Sequence, residues 1–257
     1  MSSADGSVQQ FRLDGRVAIV TGASSGLGRR LSVALSTAGA RVVVAARRAE
    51  ALRELASELP DALAVTTDVS DDADLHRLVD ATLERYGRID VLVNNAGVVN
   101  VAPAEEEGVE DFRRVIAVNL IAPFVLTQIV GRQMLEQGSG SVINVSSVLG
   151  IVGSGRVPQA SYAASKGALI NLTRELAAQW ASRGVRVNAL APSWFASEMT
   201  DEMLSSPAGQ RWVERATPMG RPGAVHELDG AVVFLASDAS SYVTGHVLAV
   251  DGGWTAV

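Results

Sequence analysis

The chain has 257 residues, of which 47% are hydrophobic and 19% charged, and its formal net charge is −6. This length favours one large α/β domain with a substantial core. The net negative charge does not favour binding to nucleic acid or to an anionic membrane surface, so we expect neither partner. The absence of cysteine excludes disulfides, thiolate catalysis and zinc–thiolate sites.

The start of the chain, residues 1–10, is polar and has no apolar signal core, and no apolar run is expected to reach membrane-spanning length. We therefore predict a cytoplasmic protein. A flexible N-terminal tail is expected over residues 1–12, followed by a single domain over residues 13–257.

The first predicted strand, residues 16–22, ends in a glycine-rich turn, Thr21-Gly-Ala-Ser-Ser-Gly-Leu-Gly28. A helix follows, with Leu27, Leu31 and Leu35 on one face. Glycines between a strand and a helix let the backbone approach a pyrophosphate, and the helix N-terminus supplies free N–H groups. The Gly-x3-Gly-x-Gly spacing is not the commoner Gly-x-Gly-x-x-Gly, and a tight strand-to-helix connection is the alternative interpretation.

The second predicted strand, residues 41–46, is followed by Arg47 and Arg48. A fold that selects NAD often has Asp or Glu at this strand end, where it binds the ribose 2′-hydroxyl. Two guanidinium groups instead suit a 2′-phosphate, which they can bind through paired hydrogen bonds. The pattern therefore favours NADP(H) over NAD(H). The alternative is a solvated basic helix start, which the helix dipole disfavours.

Helices and strands continue to alternate, with helices over 49–58 and 71–86 and strands over 62–65 and 89–93. The third strand leads to Asp68 and Val69. The fourth stops at Asn94-Asn95-Ala96-Gly97, where the amides can bond to sheet edges or to a ligand and Gly97 permits a close approach. An ordinary Asn-Gly-type turn is the alternative.

A long helix is predicted over residues 109–136, with Asn119 in its middle and a kink at Pro123. Apolar neighbours indicate that Asn119 is buried, and a buried amide needs hydrogen-bond partners. The fifth strand, residues 141–147, ends in the adjacent hydroxyls of Ser146 and Ser147.

The next helix, which is predicted to run to about residue 182, carries Tyr162 and Lys166 four residues apart and therefore on one face. The positive charge favours the phenolate, so we expect it to lower the pKa of Tyr162 and to let this group exchange a proton near neutral pH. Taken alone, the pair could also be a surface tyrosine beside a solvated lysine.

The last part of the chain contains a sixth strand at 185–190, a polar segment over about 193–222, a helix at 225–236 and a strand at 246–250. The polar segment is longer than an ordinary loop, which suggests a lid over a site. The repeated strand–helix order predicts an α/β protein: a three-layer, doubly wound Rossmann fold with a mostly parallel seven-stranded sheet.

The ordered set of motifs resembles the short-chain dehydrogenase/reductase family in its compact single-domain form. The resemblance covers about residues 13–253. It depends on six features, namely Thr21-Gly-x3-Gly-x-Gly28, Asn94-Asn-Ala-Gly97, Asn119, Ser147, Tyr162-x3-Lys166 and the Pro192 segment.

The resemblance implies hydride transfer between a nicotinamide cofactor and a secondary alcohol or ketone. Tyr162 would be the general acid/base, Lys166 would lower its pKa and hold the nicotinamide ribose, and Ser147 would hydrogen-bond the substrate oxygen. Asn119 would hold a water beside Lys166. Two hydroxyl donors suit the alkoxide charge that develops on the substrate. The predicted cofactor contacts are Gly22, Ser24, Ser25, Gly26, Leu27, Gly28, Arg47, Arg48, Asp68, Val69, Asn95, Ala96, Gly97, Tyr162, Lys166, Pro192, Phe195 and Ser197.

Some positions depart from the family pattern. Ser147 and Tyr162 are 15 residues apart, two more than is common, and the extra residues around Arg156 could shape specificity. Ser193 stands in place of a usual glycine, and Ser197 in place of a frequent threonine. Ser25 occupies a turn position that is basic in many NADP-preferring members, so NAD(H) stays open as the cofactor.

Substrate and assembly are less defined by the sequence. The apolar side chains of the lid predict a partly apolar pocket for a substrate of moderate size. The alternative is that they pack on the domain or on a partner. They are Trp194, Phe195, Met199, Met203, Leu204 and Trp212. Small residues on the Tyr162 helix, together with the family's habit of pairing this helix and the 109–136 helix across a two-fold axis, predict a homotetramer or a dimer.

Two other functions compete with the oxidoreductase. One is a dinucleotide-binding regulator without turnover, and the other is a dehydratase or epimerase of the same fold. The complete set of Ser147, Tyr162 and Lys166 favours the carbonyl/alcohol reaction. The three histidines lack ligand spacing, so no catalytic metal is predicted.

Overall fold

The computed structural model describes residues 8–257, which form a seven-stranded sheet in the order β3-β2-β1-β4-β5-β6-β7. Each neighbouring pair of strands is parallel. The strands are β1 (Val17–Thr21), β2 (Arg41–Ala46), β3 (Leu63–Thr66), β4 (Val91–Asn94), β5 (Gly140–Val145), β6 (Val185–Pro192) and β7 (Val247–Val250). This arrangement confirms the predicted doubly wound fold.

Helices cover both faces of the sheet. They are α1 (Gly26–Thr37), α2 (Ala49–Glu58), α3 (Asp72–Tyr86), α4 (Val109–Ile116), α5 (Ala122–Gln137), α6 (Ala160–Trp180), α7 (Asp201–Ser205), α8 (Pro207–Ala216) and α9 (Asp229–Ala236). Because both faces are covered, the strands are continuous apolar runs rather than alternating ones. In β1, Ala18 and Val20 pack toward Leu31 of α1, while Ile19 packs toward Val130 of α5 on the other face.

The strand order reverses beside β1, since the chain builds β2 and β3 on one side of it and then crosses to β4 on the other. Open α/β sheets bind ligands in the crevice that such a reversal leaves at the carboxyl ends of the strands. The topology therefore brings the loops after β1 and β4 to the two walls of one cleft.

The helical segment Val109–Gln137 differs from its prediction in two ways. Its irregularity is a π turn at Ala117–Ile121, one turn before Pro123, which itself lies in the first turn of α5. The departure from regular α-helix therefore lies just before Pro123, which has no N–H to donate to the carbonyl of Asn119 four residues earlier, and the kink at Pro123 stays a prediction. By length and composition this helix could also cross a membrane, which corrects the prediction that no segment reaches that length; Val130 and Met134 are nevertheless fully buried in the fold.

The predicted tail is attached to the domain over its last residues. The carbonyl of Gln10 accepts a hydrogen bond from the N–H of Ala239 (3.0 Å), and the ring centroid of Phe11 lies 6.4 Å from that of Phe234. Residues 8–12 therefore do not form the expected loose tail. The rest of that predicted tail lies outside the described residues.

The segment predicted as a lid leaves and re-enters the domain at one point. Phe195 and Gly223 form an isolated parallel bridge, and the N–H of Gly223 donates to the carbonyl of Trp194 (2.8 Å). Between these ends the chain forms the two short helices α7 and α8. The segment is thus a helical excursion with closed ends rather than an extended loop.

Candidate functional site

A cavity of about 620 Å³ opens at the carboxyl ends of the central strands. Every residue predicted to contact a cofactor lines it, as do Ser147, Tyr162 and Lys166. Among the predicted catalytic residues, Asn119 is the exception, because it lies behind the cavity wall. The structure therefore brings together side chains that are up to 175 positions apart in the sequence, from Gly22 to Ser197.

The glycine-rich turn after β1 packs directly against the turn after β4. Gly22 has a φ of +66°, and a methyl group there would lie 2.8 Å from Cα of Ala96. A methyl group at Gly28 would overlap the carbonyl oxygen of Gly22. The hydroxyl of Thr21 accepts hydrogen bonds from the N–H groups of Asn95 (3.0 Å) and Ala96 (3.1 Å). The close approaches at Gly22 and Gly28 explain why glycine is required at these two positions.

The N-terminus of α1 faces this turn without a side-chain cap, since Ser25 makes no capping hydrogen bond. Uncapped N–H groups and the positive end of the helix dipole suit a phosphate. Together with the glycines, which leave the backbone accessible, the turn has the features that a pyrophosphate-binding loop requires.

The guanidinium of Arg48 lies at the end of the cleft beyond β2. Its Nε donates to the hydroxyl of Ser24 (3.1 Å) and its Nη2 to that of Ser25 (2.5 Å). Nη1 and Nη2 also donate to the two carboxylate oxygens of Glu198, at 2.9 and 3.2 Å. Glu198 belongs to the lid, and no motif in the sequence pointed to it.

Asp68 closes the same end of the cleft. Its carboxylate accepts hydrogen bonds from the N–H (3.0 Å) and the hydroxyl (2.7 Å) of Ser70. These bonds, with a smaller contribution from the charge of Arg47, hold the pKa of Asp68 below its ordinary value. The group is therefore charged at neutral pH.

Asn119 is fully buried, as its apolar neighbours predicted, and its amide is satisfied by protein atoms. Its Oδ1 accepts from the N–H of Val98 (2.8 Å), while its Nδ2 donates to the carbonyl of Val98 (2.8 Å) and the hydroxyl of Ser165 (3.1 Å). The side chain thus anchors the loop after β4 to the Tyr162 helix. Oδ1 accepts one hydrogen bond and can accept a second, so the water that the resemblance implied beside Lys166 stays a prediction.

The two adjacent serines have different environments. The hydroxyl of Ser146 donates to the carbonyl of Lys166 (2.9 Å), which commits it to the backbone of α6. The hydroxyl of Ser147 accepts from the N–H of Leu149 (3.1 Å) and faces Tyr162. Only Ser147 of the two also lines the neighbouring cavity described below. Ser147 is therefore the serine that can donate to a ligand.

Tyr162, which is partly buried, and Lys166, which is buried, form a close pair. The Nζ atom of Lys166 lies 5.6 Å from the ring centroid of Tyr162 and donates to the carbonyl of Val145 (2.8 Å). Burial raises the pKa of the Tyr162 phenol, and its interaction with the nearby hydroxyl of Ser147 opposes this only in part. The expectation of a lowered pKa is therefore wrong for this form of the protein, because desolvation outweighs the effects of neighbouring groups.

Burial acts in the opposite direction on the lysine and lowers the pKa of Lys166 to about 8. Lys166 is also the only lysine in the chain, whereas the remaining members of its 22 basic Lys and Arg residues are arginines. A planar guanidinium and a compact ammonium are not interchangeable at a buried site. That a single lysine stands among 21 arginines is a signal of its role that is visible in the sequence alone.

A second cavity, of about 330 Å³, adjoins the first. Ser147 and Tyr162 line both cavities, so their hydroxyls stand where the two meet. The second cavity has mostly apolar walls and one charged residue, Glu202; the apolar lining residues are Val99, Val101, Val148, Leu149, Val157, Trp194, Met199 and Met203. Of the lid side chains expected here, Phe195 instead lines the first cavity, while Leu204 and Trp212 line neither.

Three tryptophans form a cluster beside this second cavity. The ring centroids of Trp194 and Trp212 are 5.3 Å apart, those of Trp212 and Trp254 are 5.2 Å apart, and both pairs meet edge to face. The guanidinium of Arg156 lies 5.7 Å from the Trp212 ring centroid. The longer loop before Tyr162 is thereby joined to the lid and to the C-terminal residues.

Across residues 8–257, no group of three or more histidine, aspartate or glutamate side chains could hold a metal ion. The arrangement instead combines a glycine turn, a basic end and a Tyr–Lys–Ser group on one cleft. This combination can hold an elongated anionic ligand and present two hydroxyl donors to a second molecule.

Comparison with known proteins gives matches along nearly the whole chain. A family model described as enoyl-(acyl carrier protein) reductase matches residues 22–255. Galactitol 2-dehydrogenase (L-tagatose-forming) of Cereibacter sphaeroides is 44% identical over 248 residues, which cover 95% of this chain and 97% of that protein. Gluconate 5-dehydrogenase of Gluconobacter oxydans is 42% identical over 95% of this chain and 96% of its own length.

Solved structures show the same similarity. The crystal structure of a gluconate 5-dehydrogenase from Burkholderia cenocepacia in complex with NADP and tartrate has a TM-score of 0.92 and 39% identity, covering 97% of this chain and 99% of that chain. The sheet order, the cleft and these full-length matches agree. The chain belongs to the short-chain dehydrogenase/reductase family of oxidoreductases.

Proposed function

We propose that the protein is an NADP(H)-preferring oxidoreductase that interconverts a secondary alcohol and a ketone. The observation that carries the proposal is the meeting of Ser147 and Tyr162 at the junction of the two cavities. A bound nicotinamide cofactor supplies or accepts the hydride. The residues of the chain then have to bind it, orient the substrate and move one proton.

In this proposal Tyr162 gives its phenolic proton to the substrate oxygen during reduction and takes it back during oxidation. Its raised pKa keeps the phenol protonated at neutral pH, as a proton donor requires. The hydroxyl of Ser147 donates a second hydrogen bond to the same oxygen and stabilises the charge that develops there. The buried ammonium of Lys166 stabilises the phenolate that remains when the proton leaves.

The residues present fit a nicotinamide dinucleotide. Gly22 and Gly28 keep the turn free of side chains where a pyrophosphate would approach, and the first-turn N–H groups of α1 are uncapped. Arg48 supports the NADP(H) preference, because its guanidinium is held by Ser24 and Ser25 at the end of β2, where the 2′ position is read. The relative crystallised with NADP is consistent with this preference.

The second cavity supports a neutral substrate of moderate size. Its walls are mainly apolar, and the charged residue that lines it, Glu202, would repel an anion. The relatives named above act on a sugar alcohol and on a sugar acid. The charge in this cavity favours neutral alcohols and ketones over carboxylates, since an anion would lose hydration without gaining a cationic partner.

The test is a scan of absorbance at 340 nm over neutral ketones, polyols and aldonates with NADP(H) and NAD(H). Tyr162→Phe should lower turnover by about a hundredfold or more, the range for loss of a general acid, while keeping its affinity for NADP+. Tyr242→Phe is the matched control because Tyr242 is fully exposed. Equal turnover in Tyr162→Phe, or cofactor binding without turnover of any neutral substrate, would contradict the proposal.

We also propose a homotetramer, or a dimer, built on α6 and the Val109–Gln137 helix. Four apolar side chains on that helix are exposed in the single chain, namely Val109, Phe112, Ile121 and Phe124. A monomeric mass in light scattering at micromolar concentration would contradict this assembly. The cytoplasmic location stays a prediction from composition.

A further inference from the structure

The ion pair between Arg48 and Glu198 joins the two sides of the cofactor cleft. Arg48 stands at the end of β2, while Glu198, 150 residues later, stands at the beginning of the lid. The pair is bidentate, with Nη1–Oε1 and Nη2–Oε2 distances of 2.9 and 3.2 Å. Planar pairing of this kind fixes the orientation of both groups.

All three nitrogens of the Arg48 guanidinium donate hydrogen bonds in this arrangement. Nε and Nη2 also donate to the hydroxyls of Ser24 and Ser25. One of the five N–H groups, on Nη1, makes no hydrogen bond to the described residues, so a paired contact with a 2′-phosphate has to take a second N–H from a present partner. Of these partners, the Glu198 carboxylate is the one that would also repel the phosphate. A ribose 2′-hydroxyl carries no charge and does not need a paired contact.

The position of Glu198 is itself held by the lid. The hydroxyl of Thr200 accepts from the N–H of Ser197 (3.0 Å) and donates to the carbonyl of Phe195 (2.5 Å), which makes a compact turn around Glu198. The Arg48 bond and an interaction with Ser25 keep the pKa of Glu198 below its ordinary value, so the group is charged at neutral pH. A fixed negative charge therefore stands at the mouth of the proposed phosphate site.

We propose that Glu198 is a specificity-determining residue for the cofactor, because it competes with a 2′-phosphate for the guanidinium of Arg48. The inference rests on the proposed function, in which Arg48 reads the 2′ position. Binding of NADP(H) has to displace the carboxylate from Arg48, whereas NAD(H) leaves the pair in place. Glu198 thus lowers the preference for NADP(H) that Arg48 creates, and it ties the start of the lid to the adenosine end of the cleft.

The experiment measures the Kd of NADP+ and of NAD+ by titration calorimetry for the full chain, three single variants and one double variant. Glu198→Gln should bind NADP+ about two- to fivefold more tightly, the range that an exposed ion pair spans, and should bind NAD+ unchanged. Glu214→Gln makes the same charge change at another exposed lid position and should alter neither Kd. The gain for Glu198→Gln should shrink as salt is raised, since exposed charges are screened.

The third variant, Arg48→Leu, separates the inference from the proposal beneath it. In an Arg48→Leu background, Glu198→Gln should no longer tighten NADP+ binding. If Arg48→Leu alone weakens NADP+ binding but Glu198→Gln leaves it unchanged or weaker, the role of Glu198 is refuted and the role of Arg48 stands. If Arg48→Leu leaves the ratio of the two Kd values unchanged, the proposed reading of the 2′ position fails, and the inference fails with it.

Discussion

The ammonium group of Lys166 lies 5.6 Å from the centroid of the Tyr162 ring; the lysine is buried, and the tyrosine is partly buried at the junction of the two cavities. Burial moves the two pKa values in opposite directions, since it disfavours the phenolate and the ammonium alike. The phenol is therefore kept neutral, while the lysine is brought close to physiological pH.

The first prediction is that Lys166 titrates near pH 8 in the cofactor-free protein. Because the chain has a single lysine, protein labelled with ¹³C-lysine gives one Cε resonance, and its shift can be followed from pH 6 to 11 without assignment. A midpoint near the ordinary value of 10.5 would show that the ammonium is solvated and would contradict the buried geometry.

The second prediction concerns the stability cost of that lysine. Its pKa is lower in the folded state, so between about pH 10.5 and 8 the unfolded chain binds the proton first and stability falls as pH falls. The full penalty, about 3 kcal/mol from the size of the shift, is present below pH 8. Urea unfolding should therefore show Lys166→Met to be more stable than the parent at pH 7.

The advantage of Lys166→Met should be roughly 1–2 kcal/mol, because the variant also loses the hydrogen bond to Val145, and it should shrink as pH rises toward 10.5. Turnover should be lost at each pH. A variant that is less stable than the parent at pH 7, or a difference that does not change with pH, would contradict this account.

The third prediction compares two glycines with opposite surroundings. Gly28→Ala should destabilise the fold by about 1–3 kcal/mol and weaken cofactor binding, because the methyl group overlaps the Gly22 carbonyl. Gly230→Ala should stabilise the fold by about 0.5–1 kcal/mol, because Gly230 lies within α9 and a methyl group there meets open space. Urea midpoints and the Kd of NADP+ check both, and equal effects would contradict the packing argument.

The fourth prediction concerns the contact between Arg156 and Trp212. Arg156→Gln should raise the KM for substrate about two- to fivefold, the range expected for an exposed cation–π contact, and leave the Kd of NADP+ unchanged. Arg156→Lys keeps the positive charge and should recover part of the loss. Arg211→Gln, at an exposed position of α8, is the control. An unchanged KM in Arg156→Gln would show that the loop does not hold the lid.

The sheet and most of the cleft could be predicted from the sequence because the features that define them are local in the chain. Strands buried on both faces are apolar throughout, as Val17–Thr21 is, and glycines such as Gly22 mark the turns that approach the cleft. Ser147 and Lys166 could be named because motif spacing is a property of the chain alone.

Other features depend on contacts that arise only in the folded protein. The π turn at Asn119 needs the backbone of Val98, 21 residues away, as a partner for its amide. The raised pKa of Tyr162 follows from burial, which residue types do not reveal. The pairing of Arg48 with Glu198 spans 150 residues and leaves no periodic trace in the sequence.

The tryptophan cluster provides an intrinsic fluorescence probe of the lid. Of its four tryptophans, three lie within about 6 Å of one another at the point where the lid, the domain and the C-terminal residues meet. Their emission should respond to any rotation of α8, so lid movement on cofactor or substrate binding can be followed by stopped-flow fluorescence without a dye.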